Sequence, residues 1–175
     1  MLRKLLLACA TLGVIAASSG CARTPAPQDV AADKAKLQTD APSWFEYFAK
    51  ADSEGLANLY AEDALVMPPG APAVNGRPAV KTYLGAMASG AKAAGISLKQ
   101  GSVTGSGVNG DLGWISGTYT VQDSSGTMID SGNYMSVHHR TNGLWLYIRD
   151  IWNSDRPPAG AAPAKKAPGK KSGNK

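Results

Sequence analysis

The chain has 175 residues, a formal net charge of +5 and two cysteines. This length fits one domain with one hydrophobic core. The positive charge lies at the ends, because residues 157–175 hold five Lys and no acidic residue, whereas residues 40–156 hold eight basic and eleven acidic residues. An acidic folded region argues against a nucleic-acid-binding surface.

The first twenty residues have the pattern of a secretory signal. Two basic residues precede an apolar run that is too short to cross a membrane, and the small residues "SSG" follow at 18–20. These small residues resemble a bacterial lipobox ending at Cys21, with Ser18 where Leu is usual. We expect residues 1–20 to be removed and Cys21 to carry a lipid that anchors the protein in the bacterial cell envelope, facing the periplasm. Ordinary cleavage without a lipid is the alternative.

The expected organisation of the rest follows from composition. Residues 21–39 form a linker that becomes helical, residues 40–156 form the folded domain, and the Pro, Ala and Lys-rich residues 157–175 form a disordered tail. Cys9 leaves with the signal, so the mature chain has no internal disulfide and no cysteine-based metal site.

Three helices are predicted at the start of the domain. "SWFEYFAKAD" predicts an amphipathic helix beginning near Asp40. A short helix follows, capped by Asp52 or Ser53, and a third helix has Pro78 in its first turn. The apolar residues expected on the inner faces of the three helices are Trp44, Phe45 and Phe48; Leu56, Leu59 and Tyr60; and Val80, Tyr83, Leu84 and Met87.

Strands dominate the second half. A short extended run at 64–67 precedes the third helix, and from Ile96 onward apolar residues alternate with polar ones. Asn109-Gly110 and Asn142-Gly143 are typical of hairpin turns. Helices first and an antiparallel meander afterwards predict an α+β fold.

The register of the last hairpin can be predicted from its turn. With Asn142-Gly143 as a two-residue turn, Arg140 pairs with Trp145 and Met135 pairs with Asp150. Alternation then predicts an inner face with Asn133, Met135, Val137, Leu146, Ile148, Asp150 and Trp152. The predicted outer face carries aromatic and charged residues, and three of them suit a homodimer contact: Tyr134, Trp145 and Tyr147.

"YAEDALVMPPGAPAVNGRPAV" and "GLWLYIRDIWNSD", separated by a run of strands, resemble the NTF2-like superfamily, and within it the DUF4440/SnoaL-like group. The resemblance covers residues 30–156. It implies a cone in which N-terminal helices pack on a curved antiparallel sheet around a pocket. It implies no particular activity, since the same cone hosts isomerases, dehydratases, hydrolases and non-catalytic binding domains.

Steroid isomerases of this superfamily offer a test by position. Their general base corresponds to Pro68, their oxyanion-hole Tyr to Trp44 and their protonated Asp to Met135. Apart from the indole N–H as a single weak donor, these side chains cannot supply the base and the donors that the chemistry needs. We therefore do not expect steroid isomerase activity.

Asp150 is the candidate functional residue, because it interrupts an apolar face. It is either a pocket acid with a raised pKa or a structural carboxylate satisfied by backbone amides, an indole N–H or Arg77. Arg77 itself is expected to orient structure by pairing with Asp63 or Asp150. The predicted pocket consists of Trp44, Phe48, Tyr60, Met67, Trp114, Met135, Asp150 and Trp152, although such residues can equally form a closed core.

No cofactor or metal is expected. His138 and His139 point to opposite faces of a strand, with His139 expected to face inward, so they cannot share an ion. The sequence therefore favours a domain that binds a small apolar or mixed ligand or a protein partner. The alternatives are a SnoaL-like isomerase, lyase or hydrolase with Asp150 as acid or base, and a structural homodimer.

Overall fold

The structure, a computed structural model, describes residues 29–40 and 42–157. The predicted signal, Cys21 and residues 158–175 lie outside the described residues. Within the described ranges, no helix is long and apolar enough to span a membrane. The elements are α1 Val30–Asp40, α2 Pro42–Lys50, α3 Ser53–Asn58, β1 Tyr60–Met67, β2 Val74–Asn75, α4 Arg77–Ala93, β3 Ser97–Asn109, β4 Leu112–Gln122, β5 Met128–Thr141 and β6 Leu144–Ser154.

The strands form one curved sheet in the order β2-β1-β6-β5-β4-β3, with the helices packed against it. This arrangement confirms the predicted α+β class. Four of the pairings are antiparallel, and β1 pairs with β6 in parallel. The parallel pairing was not predicted, and it places Tyr60 at the start of β1 beside Tyr147 of β6.

The helices follow the predicted apolar faces. Trp44 and Phe48 of α2 are buried, as are Val80 and Leu84 of α4. Asp52 caps α3 by accepting a 2.8 Å hydrogen bond from the backbone N–H of Gly55. Burying a side chain such as Phe48, Val80 or Leu84 contributes about 1.5–3 kcal/mol to the free energy of folding.

The sequence predicted Tyr60 on the inner face of the short helix, but Tyr60 is the first residue of β1. The helix ends at Asn58, and the backbone N–H of Tyr147 donates a 2.9 Å hydrogen bond to the carbonyl of Leu59. Hydrogen bonding to β6 therefore begins at Leu59, directly after the helix ends. The helical spacing of Tyr60 in the sequence could not reveal this pairing.

Helix α1 packs on a smaller cluster formed by Leu37, Ile115 and Trp145. Arg140 fixes its position, since the guanidinium lies 2.6 Å from the carboxylate of Asp33 and 5.2 Å from the ring centroid of Trp145. The ion pair thus links the first helix to the far hairpin of the sheet.

The last hairpin turns at Asn142-Gly143, as predicted. Both residues have positive φ, 52° and 81°, which the two-residue turn requires. Arg140 pairs with Trp145, also as predicted.

Beyond His138 the predicted register is wrong, because β6 contains a β-bulge. His138 pairs with Tyr147 but Val137 pairs with Arg149, which leaves Ile148 without a partner in the ladder. Asp150 consequently pairs with Ser136 rather than with Met135. The extra residue reverses the inward and outward alternation along β6.

The predicted faces of β6 are inverted on the turn side of the bulge, and the bulge then brings Asp150 and Trp152 to the inner side that was predicted for them. Trp145 and Tyr147 face inward before it, and Asp150 and Trp152 face inward after it. Along β5 the prediction is inverted, since Ser136 and His138 are buried and their neighbours Val137 and His139 lie on the other face. The large apolar residues exposed on β4, β5 and β6 are Leu112, Trp114, Met128, Met135, Leu144 and Ile151.

A dimer through the outer sheet face stays a prediction, but the side chains available for the contact differ from those predicted. Trp145 and Tyr147 are buried inside the fold and cannot form the contact that was predicted for them. Met135 and Ile151, each 45% exposed, pair across β5 and β6 and offer an apolar surface instead.

Candidate functional site

A cavity of about 290 Å³ lies between helices α2 and α4 and the inner face of the sheet. This volume is at the lower end of the range for small-molecule sites, about 300–1,000 Å³. The side chains that line the cavity are mostly apolar and aromatic. They are Trp44, Phe45, Phe48, Pro69, Met87, Ala91, Ile96, Leu98, Tyr119, Val121, Asp130, Tyr134, Tyr147, Asp150, Trp152 and Ser154.

A chain of two buried hydrogen bonds connects three elements beside the cavity. The indole N–H of Trp44 on α2 donates to the hydroxyl of Tyr60 at 2.8 Å. The hydroxyl of Tyr60 on β1 donates to Oδ2 of Asp150 on β6 at 2.6 Å. Bonds to a carboxylate are short and strong, so this chain fixes the orientation of the acid.

Burial controls the charge of Asp150. Only 6% of the residue is exposed, and this burial raises the pKa from 3.8 to about 6, although the hydrogen bonds from Tyr60 and from the Ile151 backbone lower it. Asp150 is therefore mostly ionised at neutral pH and takes up a proton in mildly acidic solution. It can accept a hydrogen bond from a ligand or exchange a proton with one.

Tyr60 remains a neutral donor over the same range. Its burial, and then the charge of Asp150, raise the pKa of the phenol well above 10. The parallel pairing of β1 with β6 is what brings this phenol to the acid, ninety residues away in the chain.

A second carboxylate, Asp130 on β5, also lines the cavity. The hydroxyl of Ser154 lies 2.9 Å from both of its carboxylate oxygens, which holds the side chain in place. Nearby, burial and the charges of Asp130 and Asp155 raise the pKa of Tyr119 to about 12. The described residues that line the cavity include no Lys, Arg or His.

The predicted pocket residues fall into two groups. Trp44, Phe48, Asp150 and Trp152 line the cavity, and Tyr60 lies behind it in contact with Asp150. Met67, Trp114 and Met135 do not line it.

The structure shows why these three predicted residues lie outside the cavity. Trp114 lies on the outer face, over Gly105 and Gly107, where a Cβ would lie within 3 Å of the indole. Met135 faces outward because the regular alternation of β5 places its neighbours Tyr134 and Ser136 on the inner face. Met67, at the end of β1, is half-buried away from the cavity.

Several lining residues were missed in the sequence. Phe45 belongs to the predicted α2 stripe but was not assigned to the pocket, and its ring lies 6.1 Å from that of Tyr134. Tyr134 and Tyr147 were assigned to the outer face. The alternation along β4 contained the signal for Tyr119, whereas nothing in the local pattern distinguished Asp130 from a turn residue.

Arg77 orients structure, as predicted, but with other partners. Its Nε donates to the backbone carbonyl of Tyr60 at 2.7 Å, and its guanidinium lies 2.6 Å from the carboxylate of Glu62. It pairs with neither Asp63 nor Asp150, because it reaches β1 from the start of α4.

The inward histidine is His138, and His139 is exposed, which reverses the expectation. His138 shares a 2.8 Å hydrogen bond with Ser136, and burial lowers its pKa to about 4, so it is neutral at physiological pH. It contacts the ring of Tyr147 but does not line the cavity. Residues 29–40 and 42–157 contain no group of three His, Cys, Asp or Glu placed to hold a metal.

Comparison with known proteins identifies the family of the domain. The family model of the SnoaL-like domain matches residues 42–148. No curated protein matches the sequence significantly.

Solved structures share the fold. A protein of unknown function with a cystatin-like fold from Nostoc punctiforme has a TM-score of 0.62 at 18% identity, covering 71% of this chain and 92% of that chain. An NTF2-like protein of unknown function from Pseudomonas putida has a TM-score of 0.62 at 17% identity, with coverage of 70% and 86%. A proposed dehydratase of the NTF2-like family from Streptomyces avermitilis has a TM-score of 0.59 at 18% identity, with coverage of 70% and 95%. The chain therefore belongs to the SnoaL-like domain family and has the NTF2-like fold.

Proposed function

We propose that the domain binds a small, largely apolar molecule in the cavity and holds its polar group with Asp150. The observation that supports this proposal is a buried carboxylate at the wall of an aromatic-lined space of about 290 Å³. Protein interiors are close-packed and contain few voids larger than a water molecule. A space of this size, with one oriented polar group, fits a ligand better than it fits a closed core.

A proton-transfer enzyme is the second candidate, with Asp150 as acid or base. The raised pKa of about 6 favours it, since general acids and bases work best when their pKa is near the working pH. One structurally similar protein is a proposed dehydratase. A molecule that binds the cavity and is recovered unchanged by mass spectrometry after long incubation supports binding, whereas a product formed by wild-type protein but not by Asp150→Asn supports the enzyme.

Filling the cavity should abolish ligand binding without unfolding the domain. Ala91 of α4 lines the cavity, so Ala91→Phe places a ring in the ligand's space, whereas Ala93→Phe places one at an exposed position of the same helix, outside the cavity. A ligand at a hundred times its Kd should stabilise wild-type protein by about 2.7 kcal/mol. We expect Ala91→Phe to weaken binding at least about tenfold, equivalent to about 1.4 kcal/mol.

The measurement is thermal denaturation with a diverse library of small molecules, followed by calorimetry of the hits. Ala93→Phe should bind as wild type does. Hits that bind Ala91→Phe unchanged would place their site elsewhere, and a library without hits would count against the proposal.

We further propose that the domain is exported and anchored to a membrane of the cell envelope by a lipid on Cys21. The support is the signal-like pattern of residues 1–20 and the small residues before the cysteine. Intact-mass and peptide mass spectrometry of the mature protein should show an acylated Cys21 as the first residue. A mature chain that starts elsewhere, or an unmodified Cys21, contradicts the anchor.

A further inference from the structure

We propose that the ligand of the cavity is a small organic cation, a protonated amine attached to an apolar or aromatic body. This inference rests on the proposed binding function and narrows it to one chemical class. Two carboxylates, Asp130 and Asp150, line the cavity, and the described lining residues include no basic side chain. The charge of the site is therefore negative, and it opposes carboxylates, phosphates and other anions.

Among the residues that the structure describes, the buried acid has no cationic partner. The ion pairs of these residues involve other acids, and the adjacent Arg149 is exposed on the opposite face of the sheet. Asp150 receives hydrogen bonds from the Tyr60 hydroxyl and the Ile151 amide, but these groups carry no charge. Burying an unpaired charge is unfavourable, so an ammonium group beside Asp150 would relieve a penalty that the protein alone carries.

The aromatic walls suit the same kind of ligand. Trp44 and Phe48 stack with a centroid distance of 5.1 Å, and Tyr134 and Trp152 line other parts of the cavity. The indole N–H of Trp44 is occupied by Tyr60, which leaves the ring to act through its face. Aromatic faces attract organic cations within about 6 Å, and most strongly where water is excluded.

Four tyrosines report the negative field of the site. Burial is the main reason that the pKa of each is raised, and nearby carboxylates add to it: Asp150 for Tyr60, Tyr134 and Tyr147, and Asp130 with Asp155 for Tyr119. The two acids thus act from different parts of the cavity wall. Asp150 would pair with the ammonium group, and Asp130 would add longer-range attraction.

Matched probes test the charge preference. Phenethylamine and tryptamine are compared by calorimetry with their alcohols, 2-phenylethanol and tryptophol, and with phenylacetate and indole-3-acetate, near pH 7.5. We expect each amine to bind at least about tenfold more tightly than its alcohol, and the carboxylates to bind most weakly. In Asp150→Asn this preference should be largely lost, in Asp130→Asn it should decrease by a smaller factor, and in the exposed control Asp63→Asn it should persist unchanged.

Acidification provides a second readout. The amines stay protonated below pH 7, so their advantage should fall as Asp150 takes up its proton near or below its pKa of about 6. The other titratable groups that contact Asp150 or line the same cavity are Tyr60 of β1, Tyr119 of β4, Tyr134 and Asp130 of β5, and Tyr147 of β6, with His138 behind Tyr147. The pKa values of the tyrosines are raised and that of His138 is lowered to about 4, so neither the tyrosines nor His138 change charge appreciably between pH 5 and 7.

The results with the six probes distinguish the cation inference from the proposed binding function. Amines favoured in wild type but not in Asp150→Asn support the proposal. Alcohols that bind as tightly as amines would overturn the cation inference and leave the apolar-ligand function intact. Failure of all six probes to bind, with no hit in the wider library, would overturn both. An amine preference as large in Asp150→Asn as in wild type would refute the assigned role of this carboxylate.

Discussion

Replacing Asp150 with Asn should stabilise the folded protein near pH 7.5 by up to about 3 kcal/mol. The folded-state pKa of about 6 lies above the ordinary value of 3.8, and each pKa unit corresponds to about 1.4 kcal/mol. The Asn oxygen can accept the same hydrogen bond from Tyr60, while the cost of burying a charge disappears. An amide N–H left without a partner would reduce the gain.

The gain should depend on pH with a definite sign. Because the pKa is raised on folding, the folded state binds the proton of Asp150 more tightly, and the penalty is absent below about pH 4 and complete above about pH 6. The difference in free energy of unfolding between Asp150→Asn and wild type should therefore fall to about a third of its value near pH 4.5. Urea denaturation of both proteins at the two pH values measures it.

The control for this experiment is Asp63→Asn, which removes an exposed carboxylate from β1. Its stability should differ from wild type by less than about 0.5 kcal/mol at either pH. If Asp150→Asn is less stable than wild type near pH 7.5 and the difference does not change with pH, the carboxylate is better compensated than the geometry indicates.

Tyr60→Phe should destabilise the domain by about 2–3 kcal/mol near pH 7.5, because one hydroxyl serves two buried partners. The change leaves the Trp44 N–H without an acceptor and Asp150 without its strongest donor. It should also raise the pKa of Asp150 further, since the Tyr60 hydrogen bond lowers that pKa. Urea denaturation gives the loss, and the pH dependence of stability gives the pKa.

Tyr83→Phe is the matched control. Tyr83 is half-buried on α4, and its hydroxyl makes no hydrogen bond to the residues that the structure describes. The same deletion there should cost less than about 0.5 kcal/mol. Equal losses in the two variants would show that the buried chain contributes little. In the double variant Tyr60→Phe/Asp150→Asn, the effects should not add, because the two groups are in contact.

The elements were largely predictable from the chain because local chemistry determines them. The apolar spacing of α2, the Asp52 cap of α3 and the Asn142-Gly143 turn each depend on residues close in sequence. The family resemblance then supplied the arrangement of these elements, and the matching family model supports it.

The cavity was predicted only in part, for reasons that are not local. The partnership of Tyr60 with Asp150 depends on a parallel pairing between the first and last strands. Tyr134 and Tyr147 were assigned to the outer face because tyrosine and polar neighbours are typical of a wet surface, but they face an internal space. Patterns of hydrophobicity distinguish buried from wet positions, and a cavity wall resembles both.

The bulge at Ile148 makes the chemistry of the cavity depend on chain length as much as on residue identity. With the same number of residues and an unbroken ladder, Asp150 would pair with Met135 and turn to the outside of the sheet, whereas one residue fewer before the acid would keep it opposite Ser136 without a bulge. Related chains can therefore keep an aspartate at the aligned column and still lack an acidic cavity. When relatives are compared, the number of residues between hairpin turn and carboxylate, taken together with the presence or absence of the bulge, separates chains with a charged interior from chains with an apolar one.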